Sequence, residues 1–338
     1  ENMMNQNKKE GKLGIALVGL GNYATGQLAP ALQQTEHCYL AGIVTGTPSK
    51  AQTWKDQYGI PEKNIYNYDN FDAIKDNPDI DIVYVVLPNF LHAPFVIRAA
   101  KAGKHVTCEK PMALSVADCD SMIAACKQAG KMLSIGYRLH FDPYHAEMTR
   151  LAKEKIYGNI KHISAGFSFV AKKGEWRLDK TRSGGGPLMD LGIYCLQAAC
   201  YTTGLQPIAV TAQSSPISDK EKFNGIEETL DFQLEMPNGI KAECRTSYSE
   251  NMNFLKIDAE KGSFELRPAF NYNGLKGQTP DGPLQFQPLS QQAKQMDDFA
   301  SAIKNSQPSK VPGEMGRRDV KIITAIYEAM RTGKRIEM

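Results

Sequence analysis

The sequence predicts an α/β protein in two parts, a doubly wound parallel sheet followed by a domain built on a mainly antiparallel sheet. Three observations lead there. Residues 13–136 alternate unbroken apolar runs with helical stretches, the pattern of parallel strands covered on both faces. A glycine-rich turn, "GLGNYATG" (19–26), follows the first apolar run directly. After about residue 150 the runs become alternating polar and apolar, with hairpin signals between them. At 338 residues the chain exceeds what one ordinary core encloses, so two domains are expected.

The strands of the first part read in order. "LGIALVGLG" (13–21) runs into glycines, "YLAGIVTG" (39–46) follows, and "DIVYVVLP" (81–88) holds six apolar residues from Ile82 to Leu87. "HVTCE" (105–109) and "MLSIGY" (132–137) complete the series. Helices are expected over 93–102 and 115–130, where Ser115 is placed to cap with Asp118 three residues on. Gly103 and Gly130 suit helix ends, because glycine enters the left-handed region without a Cβ clash.

In the second part, "ETLDFQLEMPNGIKAECRTSYS" (228–249) is two alternating runs around Pro-Asn-Gly, which predicts a hairpin. "FLKIDAEKGSFEL" (254–266) predicts another, and 160–169 and 208–215 add strands. Residues 268–290, rich in Gly, Pro and Gln, read as an irregular loop before helices near 291–305 and 317–332.

Composition removes several function classes. A formal net charge of +3, with no basic block beyond Lys8–Lys9, argues against nucleic acid as a partner. No run of about 18 apolar residues is present, so no membrane span is expected. The seven cysteines form no CxxC pair and read as buried free thiols, which favours a cytoplasmic setting. The chain opens on Glu1, so a periplasmic setting with a removed signal is the alternative, and residues 1–11 are expected to be a disordered arm. Six histidines without H-x3-H or HExxH spacing predict no metal.

The turn after the first strand matches G-x-G-x-x-A at Gly19, Gly21 and Ala24, with Asn22 and Tyr23 between. Gly19 permits the tight turn, Gly21 lets backbone approach a pyrophosphate, and Ala24 keeps helix and strand close. A dinucleotide is therefore expected. The end of the second strand discriminates between its forms. An NAD site usually carries an acid there for the ribose 2′-OH, whereas this chain has Thr45, Thr47 and Lys50 and no carboxylate from 45 to 50. Hydroxyls and an ammonium suit a 2′-phosphate, so NADP is expected and NAD is the lesser alternative.

"HVTCEKP" ends an apolar strand on Glu109, Lys110 and Pro111. The carboxyl edge of such a sheet is where ligands bind, and Pro111 restricts Lys110 in a way that can aim the ammonium into a cleft. Spacing alone leaves a surface Glu–Lys pair as the other reading. Asp190 and Tyr194, four apart in "PLMDLGIYCLQAA", share a helix face, with Pro187 in the first turn.

Taken together, strand-GxGxxA, "LPNFLHAPFVIRAAKAGKHVTCEKPMALSVADC", "GYRLHFDP" and "GEWRLDKTRSGGGPLMDLGIYCL" resemble the Gfo/Idh/MocA oxidoreductase family, over about residues 12–335. The last two stretches look most like its branch of glucose–fructose oxidoreductase and NADP-dependent aldose dehydrogenases. The resemblance implies a Rossmann domain, a C-terminal α/β domain with a large open sheet, and a homodimer or homotetramer formed through that sheet. It places Lys110 at the catalytic lysine, and Asp190 and Tyr194 on the D-x-x-x-H/Y motif. Tyr137 and Arg138 take positions near nicotinamide and substrate, and His140 lies near the same cleft. Trp176 and Arg177 match a pair that reaches the cofactor, and Leu87, Pro88, Asn89 and His92 match the loop over the nicotinamide ribose. Glu109 is then a candidate for a ribose hydroxyl, and His92 reads equally as a satisfied loop histidine. The branch carries Lys where this chain has Asn22, and a longer N-terminal arm, which leaves open whether cofactor is permanently held.

The expected domains are an NADP-binding unit over 12–136, a substrate and oligomerisation unit over 137–310, and a C-terminal helix over 311–338 for which a return to the first unit is one course. The expected activity is hydride transfer between a carbinol carbon of a pyranose or related polyol and nicotinamide. In that scheme Tyr194 removes the hydroxyl proton, Lys110 stabilises charge, and Asp190, Arg138 and His140 position the sugar. The alternatives are a glycosidase that recycles its cofactor and a non-enzymatic NADP-binding protein.

Overall fold

The computed structural model describes residues 11–338, so most of the expected arm lies outside the described residues. The chain divides into two compact units: residues up to Arg138 with Ser290–Arg317, and Leu139–Leu289 with Arg318–Met338. The first unit thus takes in a late helix that the expected 137–310 domain had placed with the second.

The first unit holds six strands: β1 Leu13–Val18, β2 Cys38–Val44, β3 Ile65–Tyr66, β4 Ile82–Val85, β5 His105–Cys108 and β6 Leu133–Ile135. All pair in parallel, in the order β3-β2-β1-β4-β5-β6. That order reverses direction at β1, and the crevice beyond the strand ends at such a switch point is where dinucleotides bind. β3 has two residues, too few to show a period, which explains its absence from the sequence reading. Helices α1 Pro48–Tyr58, α2 His92–Lys101 and α3 Val116–Gln128 belong to this unit. Ser115 does cap α3, its side chain accepting from the Asp118 N–H at 3.1 Å.

The core explains why the late helix joins this unit. Ala293, Met296, Phe299 and Ala300 pack in one cluster with Ile15, Leu17, Leu40 and Ile43 of β1 and β2. Asp297, on the same helix, accepts from the backbone N–H groups of Glu36 (3.0 Å) and His37 (2.8 Å).

The second unit carries α4 Pro143–Lys153, α5 Ile193–Thr203 and a nine-stranded sheet. Its strands are β7 Ile160–Ser168, β8 Ala209–Ser214, β9 Thr229–Glu235, β10 Lys241–Ser247, β11 Met252–Ala259, β12 Gly262–Leu266, β13 Gly277–Thr279, β14 Gly282–Leu284 and β15 Ile336–Glu337. The order is β14-β13-β12-β11-β7-β10-β9-β8-β15, antiparallel except for β7 beside β10. The hairpin expected over 228–249 is β9–β10, turning through Asn238 and Gly239 at φ 67° and 75°. The stretch 268–290 is not wholly irregular. It holds the β13–β14 hairpin, closed by Thr279, whose hydroxyl donates to the Gly282 carbonyl and accepts from the Asp281 N–H. Three-residue strands between Gly and Pro leave no legible alternation.

Two further long helices are α6 Gln291–Lys304, the late helix of the first unit, and α7 Gly313–Thr332. Through Arg317, α7 counts with the first unit, and from Arg318 with the second. The tail after it ends as edge strand β15 against β8.

Candidate active site

In the first unit every expected cofactor residue follows the carboxyl end of a parallel strand. Gly19–Ala24 follow β1, Thr45–Lys50 follow β2, Leu87–His92 follow β4, Glu109 and Lys110 follow β5, and Tyr137 and Arg138 follow β6. The first turn is built by sterics. Gly19 has φ 95°, and a Cβ there would lie 2.4 Å from the carbonyl oxygen of Val86. Gly21 has open space on its Cβ side, so backbone is exposed for close approach. Asn22 is exposed, Tyr23 half-buried, and Ala24 fully buried against the sheet at the start of a π-helical turn, Ala24–Leu28. These residues suit a pyrophosphate: bare backbone at a helix start, with no side chain in the way.

At the next strand end, Thr45 is buried and its hydroxyl accepts from the Thr47 N–H at 3.2 Å. Thr47 and Lys50 are exposed at the start of α1. His92 is buried, with Nε2 at 2.8 Å from the Leu87 carbonyl and Nδ1 at 2.8 Å from the Pro111 carbonyl. It clamps the loop after β4 to the loop after β5, in keeping with the satisfied-histidine reading. Burial pushes its ring towards the neutral form. Asn89, three residues earlier, is buried as well.

Glu109 does not face solvent as a surface ion pair would. Tyr84 donates to its Oε2 at 2.5 Å, and a Cβ at position 136 would lie 2.0 Å from the same oxygen, so Gly136 makes room for the carboxyl. Burial pushes Glu109 up to about 7, against the pull of the Tyr84 hydroxyl and the charges of Lys110 and Arg138. Arg138 is buried and donates to Gln291 of α6 at 2.6 Å. Tyr84 and Gln291 were not singled out from sequence. The signal for Tyr84 was a hydroxyl inside an unbroken apolar run, a group that needs a buried partner.

The second unit holds the other candidates. Asp190 lies in a π-helical turn, Leu188–Gly192, that runs into α5, which begins one residue before Tyr194. Both side chains are partly exposed. Arg177 donates to Asp190 Oδ2 at 2.5 Å and Tyr248 donates to the same oxygen at 2.8 Å. Arg177 also pairs with Glu175 at 2.6 Å and stacks over Phe169, 5.1 Å from the ring centre. Burial works against the Arg177 charge, but Asp190, Tyr248 and Glu175 outweigh it and hold the guanidinium above its ordinary range. Burial, then the Asp190 charge, raises the fully buried Tyr248 phenol, which therefore donates and stays neutral. Trp176 adjoins this group, its ring 6.0 Å from the Arg177 guanidinium.

The turn bearing Asp190 is fixed from behind by Glu227. This buried carboxylate accepts from the N–H groups of Gly186 (2.9 Å) and Leu188 (3.0 Å) and from Tyr327 (2.8 Å). Tyr194 packs edge-on to Phe167 at 5.2 Å and beside Phe270 at 5.8 Å. His140 engages Gln197 of α5 at 2.7 Å, and Gln197 donates in turn to buried Asp319, so burial pushes His140 towards neutrality within a closed chain. Tyr248, Glu227 and Gln197 were not legible beforehand, because each gains its role from a strand or helix remote in sequence. Among the described residues no cluster of His, Cys, Asp and Glu could hold a metal ion.

Residues 13–137 match the oxidoreductase family with NAD-binding Rossmann fold, and residues 145–265 match the GFO/IDH/MocA C-terminal domain. D-xylose 1-dehydrogenase [NADP(+)] of Haloarcula marismortui is 27% identical, over 96% of this chain and 92% of its own. The solved structure of aldose–aldose oxidoreductase from Caulobacter crescentus, complexed with glycerol, is 43% identical with a TM-score of 0.93, covering 97% of this chain and 100% of its own. Levoglucosan dehydrogenase in complex with NADH, at 20% identity and a TM-score of 0.81, shares the fold.

Proposed function

From the premise that this chain belongs to the GFO/IDH/MocA oxidoreductase family, we propose that it is an NADP-dependent oxidoreductase acting on a carbinol carbon of an aldose or related polyol. The observation that carries the cofactor assignment is the grouping at the strand ends. Gly19 and Gly21 bare the backbone after β1, and Thr45, Thr47 and Lys50 follow β2 with no acid to repel a 2′-phosphate. The NADP(+)-named relative supports the same choice, and the two aldose-acting relatives support the substrate class.

Bound NADP supplies the hydride acceptor. Gly19–Ala24 hold the pyrophosphate, Thr45, Thr47 and Lys50 the adenosine phosphate, and the loops bearing Leu87–His92 and Glu109–Lys110 the nicotinamide end. Tyr194 takes the proton of the reacting hydroxyl, and Lys110 steadies the oxygen charge that develops. Asp190, with its second oxygen fixed by Arg177 and Tyr248, accepts a hydrogen bond from a neighbouring sugar hydroxyl. Arg138, Tyr137 and His140 complete the orientation of the sugar, with Trp176 beside the ring system. The open sheet of the second unit joins copies of the chain in a dimer or tetramer. The seven thiols, all buried and free, suit a reducing compartment, and no described helix is long and apolar enough to cross a membrane.

Scanning aldoses, ketoses and polyols with NADP, by absorbance of the reduced nicotinamide, identifies the substrate. In Tyr194→Phe, turnover falls by at least about a thousandfold while NADP affinity stays within about twofold, a loss in the range of general acid–base catalysis. Full turnover in that variant removes the mechanism.

A further inference from the structure

We propose that Tyr84 is a positioning residue for Lys110: its phenol, held in turn by Gln295, fixes the carboxyl of Glu109, which one peptide bond joins to Lys110 at the end of β5. The inference rests on the reading of Lys110 given above and deepens it.

The geometry fixes a direction. Gln295 on α6 donates through Nε2 to the Tyr84 oxygen at 2.9 Å, so the single phenolic proton is left to donate to Glu109 Oε2 at 2.5 Å. Tyr84 is fully buried in the middle of β4, and Gln295 is 2% exposed. After β6, Gly136 leaves room for the same carboxyl oxygen, which would lie 2.0 Å from a Cβ at that position. Three successive strands therefore converge on one acid.

Folding alone does not ask for this arrangement. Within "IVYVVL", valine, isoleucine or phenylalanine would fill the strand without bringing a hydroxyl into the core. Burying a phenol, an amide and a carboxyl costs free energy that only good mutual hydrogen bonds offset, and apolar replacements of like shape are often as stable. What the three groups achieve together is a carboxyl held by hydrogen bonds at the residue next to Lys110. The groups facing it are Tyr84 from β4, Lys110 from its own strand end and Arg138 after β6, while Tyr23 faces the Tyr84 phenol from the turn after β1. Gln291 holds Arg138 in turn, so two buried glutamines of α6 brace the site.

The ionised carboxylate is the form that accepts from Tyr84 and attracts the Lys110 ammonium. Burial brings its ionisation to about 7, so its charge is lost as pH falls through neutrality, and the counter-charge of Lys110 goes with it.

The test is the pH profile of kcat/KM for the full-length enzyme, with NADP dissociation constants from nicotinamide fluorescence. The wild type shows an acid limb near neutrality. Tyr84→Phe removes a donor to the ionised form, so the limb moves up by about one pH unit and kcat/KM at pH 7 falls about fivefold, with NADP affinity within about twofold. A Tyr84→Phe enzyme with wild-type rate and limb overturns the inference. If that variant does not fold, Gln295→Leu decides: a limb moved up in the same direction supports it, and an unmoved limb overturns it. Lys110→Ala separates the two readings. Full activity there removes the role of Lys110 and this inference with it, whereas an inactive Lys110→Ala beside an unaltered Tyr84→Phe removes this inference alone.

Discussion

The two units prepare their chemistry in opposite ways. The first uses backbone: a glycine turn at φ 95°, open space at Gly21, and loops that leave parallel strands at one edge of the sheet. The second uses side chains: Asp190 is set by Arg177 and Tyr248, and its turn by Glu227 and Tyr327. Strand ends place a cofactor with little help from residue identity, because a phosphate asks only for N–H groups and room. A sugar hydroxyl asks for one carboxylate oxygen at one angle, and that takes several partners converging from remote segments.

If this contrast is right, the first region breaks at the backbone and the second at its partners. Gly19→Ala should have the largest effect. The added methyl meets the Val86 carbonyl, and the φ of 95° is strained for alanine by ~1–3 kcal/mol. NADP affinity by calorimetry falls more than about a hundredfold, and the unfolding temperature drops by several degrees. Retained affinity would show that the turn tolerates remodelling and would break the comparison. Arg177→Met comes next. It removes a charged hydrogen bond of the kind worth ~1.5–3 kcal/mol, so kcat falls roughly ten- to a hundredfold with NADP affinity unchanged. Arg177→Lys restores only part of this, because an ammonium lacks the planar fork that also reaches Glu175. Should Arg177→Met weaken NADP and spare kcat, Arg177 serves the cofactor and not Asp190. Lys50→Ala has the smallest effect. An exposed ammonium contributes about 0.5–1 kcal/mol, so NADP affinity falls about two- to fivefold while NAD affinity holds, a difference that shrinks with added salt. Equal losses for both cofactors would detach Lys50 from the 2′-phosphate.

What was legible follows the same division. The glycine turn, the strand–helix alternation, the cap at Ser115 and the Asn238–Gly239 hairpin are local rules, readable within a few residues. The candidate chemical residues Lys110, Asp190 and Tyr194 stood out by type and spacing, and their relation to known enzymes reinforced them. Tyr84, Gln295 and Gln291 did not stand out. A tyrosine in an apolar strand and glutamines on a late helix look like ordinary core and ordinary surface until α6 packs in the first unit. Tyr248 and Glu227 were hidden for the same reason.

By itself, the sequence determined the class of fold, the kind of cofactor turn and the residue types available for proton transfer, because period, glycine sterics and side-chain chemistry act over short distances along the chain. Tertiary structure alone decided that Glu109 accepts from the buried Tyr84, that His92 joins two loops, and that Arg177 holds Asp190. Those outcomes depend on which distant segments meet in a low-dielectric interior, where a single neighbour decides whether a polar group is satisfied or charged.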